Sequence, residues 1–182
     1  MTAEVKIILD KTKLELTLNR LMFEIIENYK DLSNLAIIGL QPRGVLLSRK
    51  MLILLKKQLK TENLTYGELD ITFYRDDFRR GEQMLVPNKL DINFDIENKN
   101  ILLIDDVLYT GRSIRAALDA LADFGRPANV ALMTLIDRRF NRELPIEANF
   151  VGHSIDTRGS GQKVKVDWNE NNPQVWLIED KK

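Results

Sequence analysis

Apolar residues recur every three or four positions at Leu14, Leu18, Leu21, Met22, Ile25 and Tyr29, one stripe along a helix that begins at Asp10 or Thr12. Residues 5–9 ahead of it read as a short strand. Residues 35–39 form a continuous apolar run, the pattern of a strand buried on both faces. A turn over residues 39–44 precedes a second helix at about residues 45–60, basic on its exposed side. Residues 69–74 alternate as a strand should. Residues 101–104 are the next buried strand, which ends in Asp105 and Asp106. A helix opened by residues 110–113 closes at Gly125, with Pro127 just beyond as a stop signal. Residues 130–136 are another apolar strand, and short strands follow at 149–155, 163–168 and 174–178.

Strand and helix alternate through most of this pattern. That predicts an α/β fold with a mostly parallel, twisted central sheet, right-handed crossovers and flanking helices. Ligands of such sheets bind beyond the carboxyl ends of the strands. No internal repeat, low-complexity tract or second domain interrupts the chain, so residues 1–182 are expected to form one domain. Residues 75–100 are polar and too long for a simple connector, and a lid over the site is the expectation.

Composition narrows the chemistry. The chain carries 27 basic and 27 acidic residues, so a wholesale polyanion binder is not expected and any nucleic-acid contact must come from a local patch. It has no cysteine, which excludes disulfides, thiolate zinc sites and a cysteine nucleophile. The amino-terminal residues lack a secretory pattern, and no apolar run approaches the ~20 residues of a membrane span. A soluble, cytoplasmic protein is expected.

The strongest chemical signal is ILLIDDVLYTGRS, residues 101–113. Asp105 and Asp106 present two carboxylates at the end of a buried strand, acceptors suited to neighbouring sugar hydroxyls. Val107, Leu108 and Tyr109 lead to Thr110, Gly111, Arg112 and Ser113, which open a helix. Backbone N–H groups, two hydroxyls and the helix dipole there make a phosphate cradle, and Gly111 permits close approach. Together they describe a ribose 5-phosphate site. Neither GxGxxG nor GxxxxGK[ST] is present, so Rossmann and Walker readings fail.

The thirteen-residue string resembles the phosphoribosyl pyrophosphate motif of type I phosphoribosyltransferases. GELDITFYRDD (67–77), DDVLYTGRSIRAALDALADFGRP (105–127) and DRRFNRELPIEANFVG (137–152) extend the resemblance, in order and over nearly the whole chain, to the PyrR family. Members of that family are uracil phosphoribosyltransferases, and several also regulate pyrimidine operons by binding messenger RNA. The resemblance implies the type I fold with a small hood over about residues 137–182, and turnover of phosphoribosyl pyrophosphate and uracil to UMP. It also implies magnesium, held on diphosphate and ribose with help from Asp105 and Asp106, and at least a homodimer. By the same resemblance, Asp105 and Asp106 hold the ribose hydroxyls and Tyr109 to Ser113 hold the 5-phosphate. Gln41, Pro42, Arg43 and Gly44 contact diphosphate, Arg75 faces it, and Arg79 and Arg80 reach it from the lid. Asp137 and Arg138 begin the base-binding hood. Relatives that use 6-oxopurines place an aspartate where this chain has Tyr109, which favours a pyrimidine. The hood segment shows no extra cation cluster for the carboxylate of orotate.

The chain departs from the family at several positions. Pro42 stands where threonine is usual, and a cis Gln41–Pro42 peptide is expected, since cis before proline costs only ~0.5–1 kcal/mol. Asn19 and Phe23 replace threonine and histidine, Glu147 stands where a basic residue is usual, and His153 replaces a lysine. A carboxylate at an RNA-facing patch opposes phosphate contacts. Arg20, Arg139 and Arg142, with Arg138 and Arg158, are the candidate RNA-contacting residues. Two alternatives stay open: a UMP-sensing RNA-binding attenuator with weak or no catalysis, and a purine phosphoribosyltransferase.

Overall fold

The structure is a computed structural model that describes residues 4–29, 31–75, 91–157 and 161–179. Its eight strands and three helices run in the order β1 (Glu4–Leu9), α1 (Lys11–Asn28), β2 (Leu35–Leu40), α2 (Gly44–Leu59), β3 (Thr65–Leu69), β4 (Asn100–Leu108), α3 (Arg112–Ala122), β5 (Asn129–Arg138), β6 (Phe150–Ile155), β7 (Gln162–Asp167) and β8 (Gln174–Glu179). Five strands form a parallel sheet in the order β3-β2-β4-β5-β6.

Every residue of β2 is buried, as its unbroken apolar sequence requires. Its side chains alternate between two cores. Leu35 and Ile37 join Leu14, Leu21 and Ile25 of α1 and Leu47, Met51 and Leu55 of α2 on one face. Ala36 and Ile38 join Ile114, Ala117 and Leu121 of α3 on the other. Full burial of each such Leu or Ile contributes about 1.5–3 kcal/mol, and the two cores together fix the height of the strand ends. Asp10 caps α1 by accepting a hydrogen bond from the Lys13 amide at 2.8 Å.

Four expectations shift. β1 does not enter the parallel sheet but pairs antiparallel with β8 in a separate three-stranded sheet, order β1-β8-β7. The strand expected at residues 69–74 ends at Leu69: Asp70 accepts from the Thr72 amide at 2.8 Å and turns the chain into a 3-10 segment, Thr72–Tyr74, leaving Phe73 61% exposed. β4 continues past Ile104 through Asp105 and Asp106 to Leu108, because β5 runs on beside it and pairs Asp105 with Thr134 and Leu108 with Asp137. Of the expected lid, residues 76–90, including Arg79 and Arg80, lie outside the described residues. Its later part packs down: Ile96 is fully buried, and Asp91 bridges Glu68.

Candidate active site

The carboxyl ends of β2, β4 and β5 open onto one cleft with two connected chambers. A cavity of about 450 Å³ is lined by Arg75, Asp105 and residues 107–114. A wider one, about 780 Å³, is lined by residues 40–43, Ile71, Asp105, Asp106, Arg138, residues 163–165 and Ile178. Arg75, Asp105, Val107, Tyr109 and Ser113 border both.

The acidic pair stands at the centre. Asp106 is 6% exposed, and its amide donates to Asp105 Oδ1 at 2.9 Å. Burial, and after it the neighbouring Asp106 carboxylate, pushes Asp105 up to about 8, while the Arg43 charge works in the opposite direction. Burial also raises Asp106, again against Arg43. Near neutral pH the ligand-free pair therefore carries less than its full negative charge, and its carboxyls can both accept and donate hydrogen bonds to a diol.

Arg43 precedes α2, and its neighbour Gly44 explains how the two loops come so close. A Cβ at Gly44 would lie 2.4 Å from the Ile104 carbonyl oxygen and 3.0 Å from Asp105 Cα, so only glycine lets the loop rest on β4 beside the carboxylates. The Gln41–Pro42 peptide is cis, and the Gln41 amide donates to the Leu69 carbonyl at 2.9 Å. At the other end, Gly111 has φ of 91°, the left-handed region, and turns the chain from β4 into α3. Residues 111–113 line the smaller chamber from the start of an eleven-residue helix, the end of a helix that favours an anion. Arg112 itself is turned outward to Glu143, at 2.6 Å.

Asp137 and Arg138 come together differently from a simple strand-end pair. Asp137 binds Arg142. Arg138 is 6% exposed, donates from Nε to Thr157 Oγ1 at 2.9 Å and from Nη2 to the Gln162 carbonyl at 3.1 Å, and lays its guanidinium 3.9 Å from the Tyr109 ring centroid. Burial lowers the pKa of Arg138.

Of the arginines read as RNA-facing, Arg142 is largely covered by the fold, whereas Arg20 is engaged at the surface with its side chain 46% exposed. Arg142 donates to the Leu108, Tyr109 and Ile146 carbonyls as well as to Asp137, and so clamps the loop that follows β4. Arg20 pairs with Glu24 and donates to the Val151 and Gly152 carbonyls. Arg139 is on the surface, its side chain 67% exposed. Arg158 lies outside the described residues.

Other residues of the site gave no sequence signal of their own. Thr134, fully buried, accepts from the Leu108 amide at 3.1 Å and stitches β5 to the end of β4; a lone threonine in an apolar run looks like packing. Lys163 and Lys165 line the wider chamber from β7, placing cations where the sequence showed no cluster. Their alternation with Val164 and Val166 is the one trace that marks them as a strand face. Among the described residues no group of three or more His, Asp or Glu side chains gathers to hold a metal. The acidic pair alone suits a magnesium ion that takes most of its oxygens from substrate.

A five-stranded parallel sheet with a carboxylate pair and a phosphate loop at its carboxyl edge defines a phosphoribosyltransferase. The phosphoribosyl transferase domain family model matches residues 4–170. The chain is 45% identical over 152 residues to the bifunctional protein PyrR of Elusimicrobium minutum, covering 84% of each chain. It is 42% identical over 174 residues to that of Actinobacillus pleuropneumoniae, covering 95% of this chain and 96% of the relative. Among solved structures, a hypoxanthine phosphoribosyltransferase from Staphylococcus aureus matches with TM-score 0.64 at 23% identity, over 85% of this chain and 80% of that one. One from Trypanosoma cruzi gives 0.67 at 18%, covering 84% and 82% respectively. At such identities these two speak for the fold alone. The chain belongs to the PyrR family of the phosphoribosyltransferases.

Proposed function

We propose that this chain transfers ribose 5-phosphate from phosphoribosyl pyrophosphate to uracil, yielding UMP and diphosphate. The observation that carries the reading is that one cleft holds a carboxylate pair, one member buried, together with the helix-opening residues 110–113 and a cationic loop seated on the same strand. In this reading the 5-phosphate occupies the cradle of residues 110–113 and the ribose hydroxyls meet Asp105 and Asp106. The diphosphate lies against Gln41 to Gly44 and Arg75. As uracil bonds through a ring nitrogen to the anomeric carbon, the bond to diphosphate breaks and positive charge builds on the ribose. Arg43 and Arg75 stabilise the leaving anion, and the buried walls limit water that would hydrolyse the donor. Asp105 and Asp106 would help to hold a magnesium ion, which would supply further charge neutralisation for the leaving anion.

Uracil is favoured by Tyr109, which lacks the carboxylate that purine-using relatives place there. The lysines at 163 and 165 mean that charge alone does not exclude orotate, so base choice needs direct comparison. The inward engagement of Arg142 favours the enzyme over the RNA-binding attenuator. Self-association, at least to a dimer, belongs to the same reading; exposed Leu46 and Ile53, two turns apart on one face of α2, support it.

The test is diphosphate release with phosphoribosyl pyrophosphate and magnesium, using uracil, orotate, hypoxanthine and xanthine in turn. Preferential turnover of uracil, lost in Asp105→Asn, is expected. Faster turnover of a purine or of orotate would overturn the base assignment. Tight UMP binding without turnover of any base would transfer the reading to the attenuator.

A further inference from the structure

A chain of polar side chains reaches from the outer edge of the parallel sheet to the first turn of α2. Ser48 is fully buried, and its Oγ lies 3.0 Å from both the Val45 carbonyl and Tyr66 Oη. Tyr66 in turn donates to Glu68 Oε1 at 2.9 Å. Glu68, its side chain 12% exposed, also accepts from Arg49 Nε at 2.8 Å and pairs with the second guanidinium nitrogen at 2.7 Å. Beneath this chain Gly39 leaves the room it needs: a Cβ there would lie 2.1 Å from Ser48 Oγ.

Two hydroxyl protons serve three acceptors here: the Val45 carbonyl, Tyr66 Oη and the Glu68 carboxylate. The carboxylate is the strongest acceptor, so Tyr66 gives its proton outward to Glu68. Ser48 is then shared between Tyr66 and Val45, which holds the serine in one place against β2. Burial and the Glu68 charge keep Tyr66 protonated. No substrate atom needs to touch these residues. Yet Val45 follows Arg43 and Gly44 directly, and Gly44 sits against β4 with no slack.

We propose that Ser48, Tyr66 and Glu68 are positioning residues that set the loop of residues 41–44 for its anionic ligand. The inference rests on reading that loop as the diphosphate site, and it predicts a selective effect. Ligands that span the loop should feel the chain, whereas ligands that use only the cradle at α3 should not.

Titration calorimetry on the full chain, with phosphoribosyl pyrophosphate plus magnesium and separately with UMP, tests this. Tyr66→Phe should weaken phosphoribosyl pyrophosphate about tenfold, the low end for a hydrogen bond to a charged group, and leave UMP unchanged. Glu68→Gln keeps an acceptor for Tyr66 and should bind like the parent, whereas Glu68→Leu should match Tyr66→Phe. Equal weakening of both ligands, or none of either, would overturn the positioning role while the reading of the site stands. A parent that binds UMP but not phosphoribosyl pyrophosphate would overturn the loop assignment, and the inference with it.

Discussion

The two sheets divide the labour of the cleft unequally. The parallel sheet is buried on both faces, and β2 and β4 hold their ends between two separate cores. The antiparallel sheet β1-β8-β7 is half-exposed: β7 alternates between partly buried and exposed residues, and Val5 and Ile7 of β1 are 57% and 51% exposed. Acidic groups with shifted pKa values stand on the first; lysines in open surroundings stand on the second. Desolvation perturbs a carboxylate, and it is on the doubly covered sheet that Asp105 is pushed up to about 8.

That contrast can be broken most directly at β4. Asp106→Asn removes a charge from a buried position, and the loss of a charge-assisted hydrogen bond costs ~1.5–3 kcal/mol. Turnover should fall roughly tenfold to a hundredfold; steady-state rates close to the parent would remove β4 from the chemistry. A second measurement concerns stability without ligand. The raised pKa of Asp105 means that the folded state holds its proton more tightly than the unfolded chain does. Stability should therefore fall as pH rises from about 4 towards 8, where the folded carboxyl ionises at a cost. Asp105→Asn should melt above the parent at pH 8, with the gap closing near pH 4, in thermal scans of the ligand-free protein. A gap that stays constant with pH would show that burial does not perturb the group. The smallest effect belongs to β7. Lys165 Nζ lies 5.3 Å from the Trp176 ring centroid in an exposed setting, worth about 0.5–1 kcal/mol. Lys165→Ala should shift relative turnover of orotate and uracil by less than Asp106→Asn shifts either. A hundredfold effect would reverse the ranking of the two sheets.

The same division explains which parts could be read from the chain. Residues 101–113 were legible because a strand buried on both faces writes an unbroken apolar run, and its end marks the site. The half-buried sheet writes only weak alternation, so β7 was placed but Lys163 and Lys165 were not singled out. β1 looked like the first strand of an alternating series, since pairing with a strand at the far end of the chain leaves no local trace. Asp70 ended β3 early through a side-chain hydrogen bond that alternation cannot register. Arg142 reads in the sequence as an RNA-contacting candidate because arginine is usually at the surface; its five acceptors converge only once β4 and β5 lie side by side.

The pairing of β1 with β8 also governs when the cleft becomes whole. A ribosome delivers roughly 5–20 residues per second, so Val5 waits on the order of ten seconds or more before Ile178 exists to meet it. The doubly covered strands β2 to β5 have what they need earlier, and the acidic pair can settle while one wall is still being synthesised. That wall, with Val164 and Ile178 facing the wider chamber, arrives last. On the proposed assignment, a nascent chain would complete the residues that cradle phosphate well before the wall of the wider chamber, and premature termination within β8 would leave the cleft with an open side.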